Sequence, residues 1–203
     1  GLLDLYEATF EERWFLAARR LLEAMLNHFA DPAGGFFDTA DDHERLIARP
    51  KGLQDNALPS GNAMAATALL RLAAFSGEGR FRDAAEGALS LVAGIVERYP
   101  TAFAQWLTAL DLAARPIDEV AVVGDPDDAR TMALLAAVRE RYRPRLVLAA
   151  ADPGSAARSA VALLHDRPLR DGRPTAYRCH GFACRAPVTE AAEFSAQLDQ
   201  PDP

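Results

Sequence analysis

Apolar residues in the first 116 positions recur with the spacing of amphipathic helices. The opening run from Gly1 to Tyr6 is typical of the last turns of a helix. Thr9 and Glu12 have the spacing of a capping box, which predicts that the next helix starts near residue 9 and ends before Pro32. Capping residues and helix breakers then delimit three further helices, at about residues 63–75, 80–99 and 101–114.

The pattern changes after Pro116, where β-branched and apolar runs replace the helical spacing. Two such runs flank a helical segment, and strands joined by a crossover helix pair in parallel. The predicted elements are strands at about 119–124, 145–149 and 175–179, and helices at about 129–142 and from Thr189 onward.

Amphipathic and nearly all-apolar helices alternate along the first part of the chain. This alternation predicts helical hairpins in which inner and outer helices take turns. The predicted fold is therefore mainly α, with helical hairpins in residues 1–116. A small C-terminal α/β unit, a strand–helix–strand arrangement, follows in residues 117–203.

Charge and composition narrow the functional classes. The net charge is −7, which argues against a nucleic-acid partner because phosphate binding needs clustered Lys and Arg. No run of about 18 apolar residues predicts a membrane span. Two cysteines in 203 residues are typical of a cytoplasmic chain. The opening without a methionine predicts that further chain precedes Gly1.

The connection between about Asp31 and Pro59 holds the densest group of polar side chains. Carboxylates and an imidazole together can perform acid–base chemistry, so Asp41 and His43 are catalytic candidates. The alternative is a solvated turn in which the aspartates cap local N–H groups. Phe36–Phe37 and Leu46–Ile47 are predicted as two short strands around the acidic turn. The polar group comprises Asp38, Asp41, Asp42, His43, Glu44, Arg45, Arg49, Lys51 and Asp55.

Ser60 and Asn62 stand at the start of a predicted helix, next to Gly61. Free N–H groups at a helix start favour an anion or a polar ligand. The alternative is structural: Ser60 would be a simple N-cap, and Asn62 would bond a neighbouring loop.

Cys179 and Cys184 are separated by four residues, which is not the spacing of a C-x-x-C redox motif. A turn at Gly181 would allow a disulfide that staples the chain locally or serves as a redox pair, and inert thiols are the other reading. No second cysteine pair completes a zinc site, so we expect neither a metal nor a cofactor.

Five motifs follow one another along the chain: Gly34-Gly35-Phe36-Phe37-Asp38-Thr39, Asp41-Asp42-His43, Arg49-Pro50-Lys51, Pro59-Ser60-Gly61-Asn62, and the ending with Ala176-Tyr177, Cys179, Cys184 and Pro187-Val188-Thr189. In this order they resemble the YyaL-like family, which includes the spermatogenesis-associated thioredoxin-domain proteins. The resemblance covers nearly the whole chain, although Asp55-Asn56-Ala57 stands where the family usually has Asp-Gly-Ala.

The resemblance implies a longer protein with an N-terminal thioredoxin-like domain and an (α/α)6 toroid. That toroid is similar to N-acylglucosamine 2-epimerase and to six-hairpin glycosidases. The chain would then hold a partial (α/α) toroid, its last helical hairpins, and the C-terminal α/β unit. Because part of an array would expose apolar flanks, we expect the chain to self-associate.

Two functions follow as expectations. The toroid would bind or act on a sugar-like ligand, or it would be a non-enzymatic or redox-linked scaffold that presents the thioredoxin-like domain to partners. Fold alone does not decide between them. The positions that match the family's motifs, and are candidate ligand-binding residues, are Asp38, Asp42, Arg49, Lys51, Ser60 and Asn62.

Overall fold

The computed structural model describes residues 1–44 and 47–200. Within these ranges the chain forms eight α-helices and four strands, with short 3-10 turns at Pro100–Ala102 and Ala162–Leu164. The helices are α1 Leu2–Thr9, α2 Glu12–His28, α3 Gly61–Ser76, α4 Gly79–Ser90, α5 Ala104–Ala114, α6 Ala129–Arg139, α7 Pro153–Ala156 and α8 Ala191–Leu198. The strands are β1 Asp118–Val123, β2 Leu146–Ala151, β3 Thr175–His180 and β4 Ala183–Cys184.

Helix α3 is the centre of the larger core, as its nearly continuous Ala and Leu content predicts. It contacts α1, α2, α4 and α5, and it also touches β2. Leu69, Leu72 and Phe75 on this helix are fully buried. The Ser60 hydroxyl accepts the Ala63 N–H at 3.1 Å, which confirms the predicted N-cap.

The four strands form one mixed sheet in the order β2-β1-β3-β4. β1 and β2 are parallel and joined by α6, which confirms the predicted crossover unit, whereas β3 adds to the other edge of β1 in the antiparallel sense. Side chains alternate between the two faces of a sheet. Ala121 and Val123 join the core of the helices, and Val120 and Val122 pack with α6 and α8.

The described part of the chain is therefore mainly α with a small α/β unit. The helical part and the sheet share one core, in which Tyr177 and Cys179 belong to the same cluster as Phe75 and Trp106. The toroid and the division at residues 116 and 117 stay predictions. In the described ranges, no helix combines the length and apolarity needed to cross a bilayer.

Four predicted helix boundaries are wrong, one of them the end expected at about residue 142, which lies at Arg139. The helix expected at 80–99 ends at Ser90, and hydrogen-bonded turns continue to residue 98. The helix expected at 101–114 starts at Ala104, because a 3-10 turn precedes it. Thr9 is not an N-cap: it lies in the last turn of α1, and its hydroxyl donates to the Leu5 carbonyl at 2.8 Å.

The expected strand at Phe36–Phe37 is limited to an isolated bridge between Ala30 and Phe36, with Phe37 donating to the Phe29 carbonyl at 2.8 Å. Leu46, which belongs to the second expected strand, lies outside the described residues, as does Arg45.

Candidate functional site

The polar loop leaves α2 through a tight turn at Gly34 and Gly35, which have positive φ values of 99° and 69°. A Cβ on Gly34 would lie 2.6 Å from the Gly87 carbonyl oxygen, and one on Gly35 would lie 2.8 Å from Asn62 Oδ1. Glycine is therefore required at both positions for conformation and for space. The pair lets the loop pack directly against α4 and α3.

Asn62 clamps this loop from the first turn of α3. Its Oδ1 accepts the Phe36 N–H at 2.7 Å, and its Nδ2 donates to the Phe36 carbonyl at 2.8 Å and to the Gly52 carbonyl at 3.3 Å. The side chain is only 2% exposed. Buried backbone polar groups need partners, and Asn62 supplies them for two separate parts of the loop. Asn62 therefore bonds a neighbouring loop, as the structural alternative in its case predicts.

Asp55 connects the loop to the starts of two helices. One carboxylate oxygen accepts the Ser60 N–H at 2.7 Å, and the other accepts the Gln105 N–H at 2.9 Å. Negative charge at a helix N-terminus is favourable because the free N–H groups carry partial positive charge. Asp55 thereby joins α3 and α5, while Ser60 caps α3 itself.

The two basic candidates also point to the backbone of the loop. Arg49 donates to the carbonyls of Thr39 and His28, and its guanidinium lies 4.3 Å from the centre of the Phe37 ring. Lys51 donates to the Gly34 carbonyl at 2.7 Å and pairs with Asp31 at 2.6 Å.

Asp38 has the same kind of contact, since its carboxylate accepts the Gly52 N–H at 2.9 Å. Asp38, Arg49 and Lys51 thus make hydrogen bonds between two segments of the loop, residues 34–39 and residues 49–52. Asn62 lies beneath them on α3. The structure brings these four candidates together, and each of them bonds at least one backbone group.

The remaining candidates lie at the exposed edge of the loop. His28, at the end of α2, is 2.9 Å from the Asp41 carboxylate, and Asp42 and His43 are exposed beside this pair. Hydrogen bonding to Asp41 raises the pKa of His28, and hydrogen bonding to His28 lowers the pKa of Asp41. Ligand atoms of His28, Asp41 and Asp42 lie within 4.8 Å of one another, so these are the described residues with a spacing that could hold a cation.

Known proteins provide an independent comparison. Spermatogenesis-associated protein 20 of mouse is 34% identical over 98% of this chain, and the human protein is also 34% identical over 98%. The rat protein is 33% identical over the same share. Nearly the whole chain is therefore similar to a part of spermatogenesis-associated protein 20. No protein-family model matches it.

This similarity confirms the resemblance that the ordered motifs indicated. The chain spans about a quarter of the length of these curated spermatogenesis-associated proteins, 26% in each case. For this chain, the activity and the partners of the longer proteins are therefore proposals.

Cys179 and Cys184 form a disulfide between β3 and β4. The structure thus has a bonded pair and not two free thiols. Whether the bridge is a local staple or a redox pair stays a prediction. Stable disulfides are typical of oxidising compartments. The bridge therefore gives no support to the cytoplasmic location expected from the low cysteine content.

Two carboxylates with little or partial exposure, the buried Glu119 and the partly buried Glu7, were not among the sequence candidates. Glu7 on α1 accepts the Leu148 N–H at 3.0 Å and pairs with Arg71 at 2.6 Å. Glu119 in β1 is 5% exposed and accepts the Phe182 N–H at 2.7 Å. Desolvation by burial raises the pKa of both groups. A glutamate inside a β-branched run was the available signal for Glu119.

We expect Asn62→Ala to lower the free energy of unfolding by at least about 2 kcal/mol, because it strands the buried N–H and carbonyl of Phe36 at roughly 1–3 kcal/mol each. Urea unfolding followed by circular dichroism measures the change. Asp42→Ala, an exposed substitution on the same loop, is the control and should stay within about 0.5 kcal/mol. An Asn62→Ala effect as small as the control's would contradict the clamp.

We expect Asp41→Asn to lower the pKa of His28, because the hydrogen bond to Asp41 is the main cause of its raised value. An NMR titration of the imidazole measures this. Asp42→Asn should produce a smaller drop, since Asp42 acts only through its charge. In the folded chain the contact favours protonated His28, so its stabilising effect is present at acid pH and is lost as pH rises through the raised pKa. Equal shifts in the two variants would count against the assigned bond.

Proposed function

We propose that this chain is a non-enzymatic scaffold module, which packs against further helices of a longer protein. The proposal rests on the hydrogen bonds of the polar candidates. Four of them bond the chain's own backbone: Asp38, Arg49, Lys51 and Asn62. A catalytic group needs reach to a substrate. These four side chains instead hold a loop in place. The loop would thus be a rigid part of the scaffold.

An apolar surface on α1, α2 and α3, which we call the α1–α3 face, would be the packing surface. It surrounds a groove of about 230 Å³ next to the N-terminus. Leu21 is 59% exposed and Met64 is 46% exposed at its rim. Clustered exposed apolar side chains mark association surfaces.

The occupant that we propose for this face is an apolar helix from the remainder of the longer protein. The curated relatives are about four times as long as this chain, so most of such a protein lies outside it. The resemblance to the family leads us to expect toroid helices and a thioredoxin-like domain among the rest. In that arrangement the module would hold the thioredoxin-like domain in position for its partners.

In the isolated chain, a second copy should cover the same face. We expect the apparent mass in light scattering to rise with protein concentration, and Leu21→Glu to hold the chain as a monomer by placing a charge in the contact. Tyr142→Glu is the matched control, because Tyr142 is 91% exposed and lies away from the groove. The proposed face is wrong if the chain is a monomer at all concentrations, or if Tyr142→Glu dissociates it equally.

A second candidate function is the binding of a sugar-like ligand at the exposed edge of the loop. It is favoured by the exposure of Asp42 and His43 beside the paired His28 and Asp41. Carboxylate and imidazole groups can bond sugar hydroxyls, and Asp41 and His43 would be the acid–base candidates. Such a site would need further groups from the longer protein to enclose the ligand.

A panel of neutral and acidic sugars, screened by NMR chemical-shift changes on the wild-type chain, separates the two functions. The scaffold proposal predicts no shifts at the loop edge. Sugar binding predicts shifts at residues 41–43 that disappear in His43→Ala but persist in Tyr142→Ala. Saturable shifts with this dependence would overturn the proposal that the loop is purely structural.

A further inference from the structure

The turn between β3 and β4 has an unusual residue in a left-handed conformation. Gly181 and Phe182 are its two residues, with φ values of 54° and 65°. Two-residue hairpins favour turns in which both central residues have positive φ. Glycine fits such a position, whereas a bulky side chain is uncommon there because its Cβ is crowded. Contacts from outside the turn must hold Phe182 in place.

Two such contacts are present. The buried Glu119 carboxylate accepts the Phe182 N–H at 2.7 Å. The Phe182 ring lies over Gly77, where an added Cβ would be 3.1 Å from the ring. The ring thereby forms part of the wall of a groove of about 540 Å³ at the end of α3. The turn is fastened to β1 by a carboxylate and to α3 by an aromatic ring.

The disulfide is the third restraint, and its two ends differ in access. Cys179 and Cys184 are directly opposite each other in β3 and β4. Cys179 is 1% exposed, whereas Cys184 is exposed on β4, a strand of two residues at the edge of the sheet. An attacking thiolate from solution would therefore meet the Cys184 sulfur.

The buried end of the bridge has a positive charge beside it. Arg167 Nη2 lies 3.5 Å from Cys179 Sγ, and Nη1 of the same guanidinium donates to the His165 carbonyl at 2.9 Å. A nearby guanidinium stabilises a thiolate, and a thiol that ionises more easily leaves faster in exchange. Access and charge thus favour attack at Cys184 with departure of Cys179.

We propose that the Cys179–Cys184 bridge is a site of thiol–disulfide exchange with a dithiol reactant. A thiolate of the dithiol attacks Cys184 Sγ, a mixed disulfide forms, and the bond to Cys179 breaks. The electron pair leaves on Cys179 as a thiolate beside Arg167. The second thiol of the reactant then releases Cys184, so the dithiol becomes a disulfide and its two protons pass to solvent or to the freed cysteines.

Reduction has a structural consequence at the turn. Opening the bridge removes one restraint on the positive φ of Phe182 and leaves the Glu119 carboxylate, the ring contact and the pairing of β3 with β4. The turn then loosens, and the groove at the end of α3 becomes more accessible. This inference is independent of the proposed scaffold role, because it concerns the opposite end of α3 from the polar loop.

The exchange is tested on the folded chain with dithiothreitol as the dithiol, by alkylating the freed cysteines and counting them by mass spectrometry. We expect reduction without denaturant, slowed on the order of threefold to tenfold in Arg167→Gln because the leaving thiolate loses its charge partner. Arg167→Lys should restore most of the rate. Arg173→Gln removes an exposed arginine that pairs with Glu190 and should leave the rate unchanged.

Hydrogen exchange of the wild-type chain supplies a measurement that needs no substitution. Reduction should increase exchange at the amides of Gly181 and Phe182, while amides in the middle of α3 stay protected. Two results would overturn the proposal: a bridge that opens only in denaturant, or equal reduction rates for Arg167→Gln and Arg173→Gln. Unchanged exchange at Phe182 after complete reduction would refute the loosening of the turn.

Discussion

Helix α3 has almost no polar face, and it can exist in water only when other elements cover it on several sides. Its buried leucines and Phe75 are covered by α1, α2, α4 and α5, and the 3-10 turn at Ala162–Leu164 adds to the cover. Hydrophobic burial is the dominant favourable contribution to folding. The arrangement of the helical half of the chain follows from this requirement.

Burial of α3 also dictates the chemistry at its N-terminus. A helix start leaves N–H groups without partners, and a loop packed over it adds its own buried polar groups. Ser60, Asn62 and Asp55 satisfy both sets of groups. Polar residues that would suggest a binding site in isolation therefore have a structural use that accounts for their contacts. The edge near His28 and Asp42 is one place where the polar groups of the loop stay open to solvent.

Two carboxylates join distant parts of the chain in a comparable way. The partly buried Glu7 on α1 bonds the backbone of β2, and the buried Glu119 on β1 bonds the turn after β3. Removing such a partner would leave a partly buried N–H group without its acceptor, so each contact couples two elements. Three contacts hold the short hairpin of β3 and β4: the Glu119 carboxylate, the Phe182 ring against Gly77, and the disulfide. The chain thus combines a buried helical core with a hairpin whose disulfide has one buried end, Cys179, and one exposed end, Cys184.

The sequence by itself determined the type of most of the longer elements, the burial of α3, the Ser60 cap and the parallel pairing of β1 with β2. Local periodicity, capping and crossover geometry carry that information within short segments. It also indicated the family through ordered motifs. Only the tertiary structure decided where Asn62 and Asp55 direct their bonds, which elements Glu7 and Glu119 connect, and how β3 joins the sheet. Those contacts link residues far apart in the chain, such as Glu7 and Leu148, and no local pattern encodes such a pairing. The end of α4 at Ser90 and the start of α5 at Ala104 were mispredicted. Turns replace regular helix next to both positions, and residue propensities do not tell whether such a segment forms a turn or a helix.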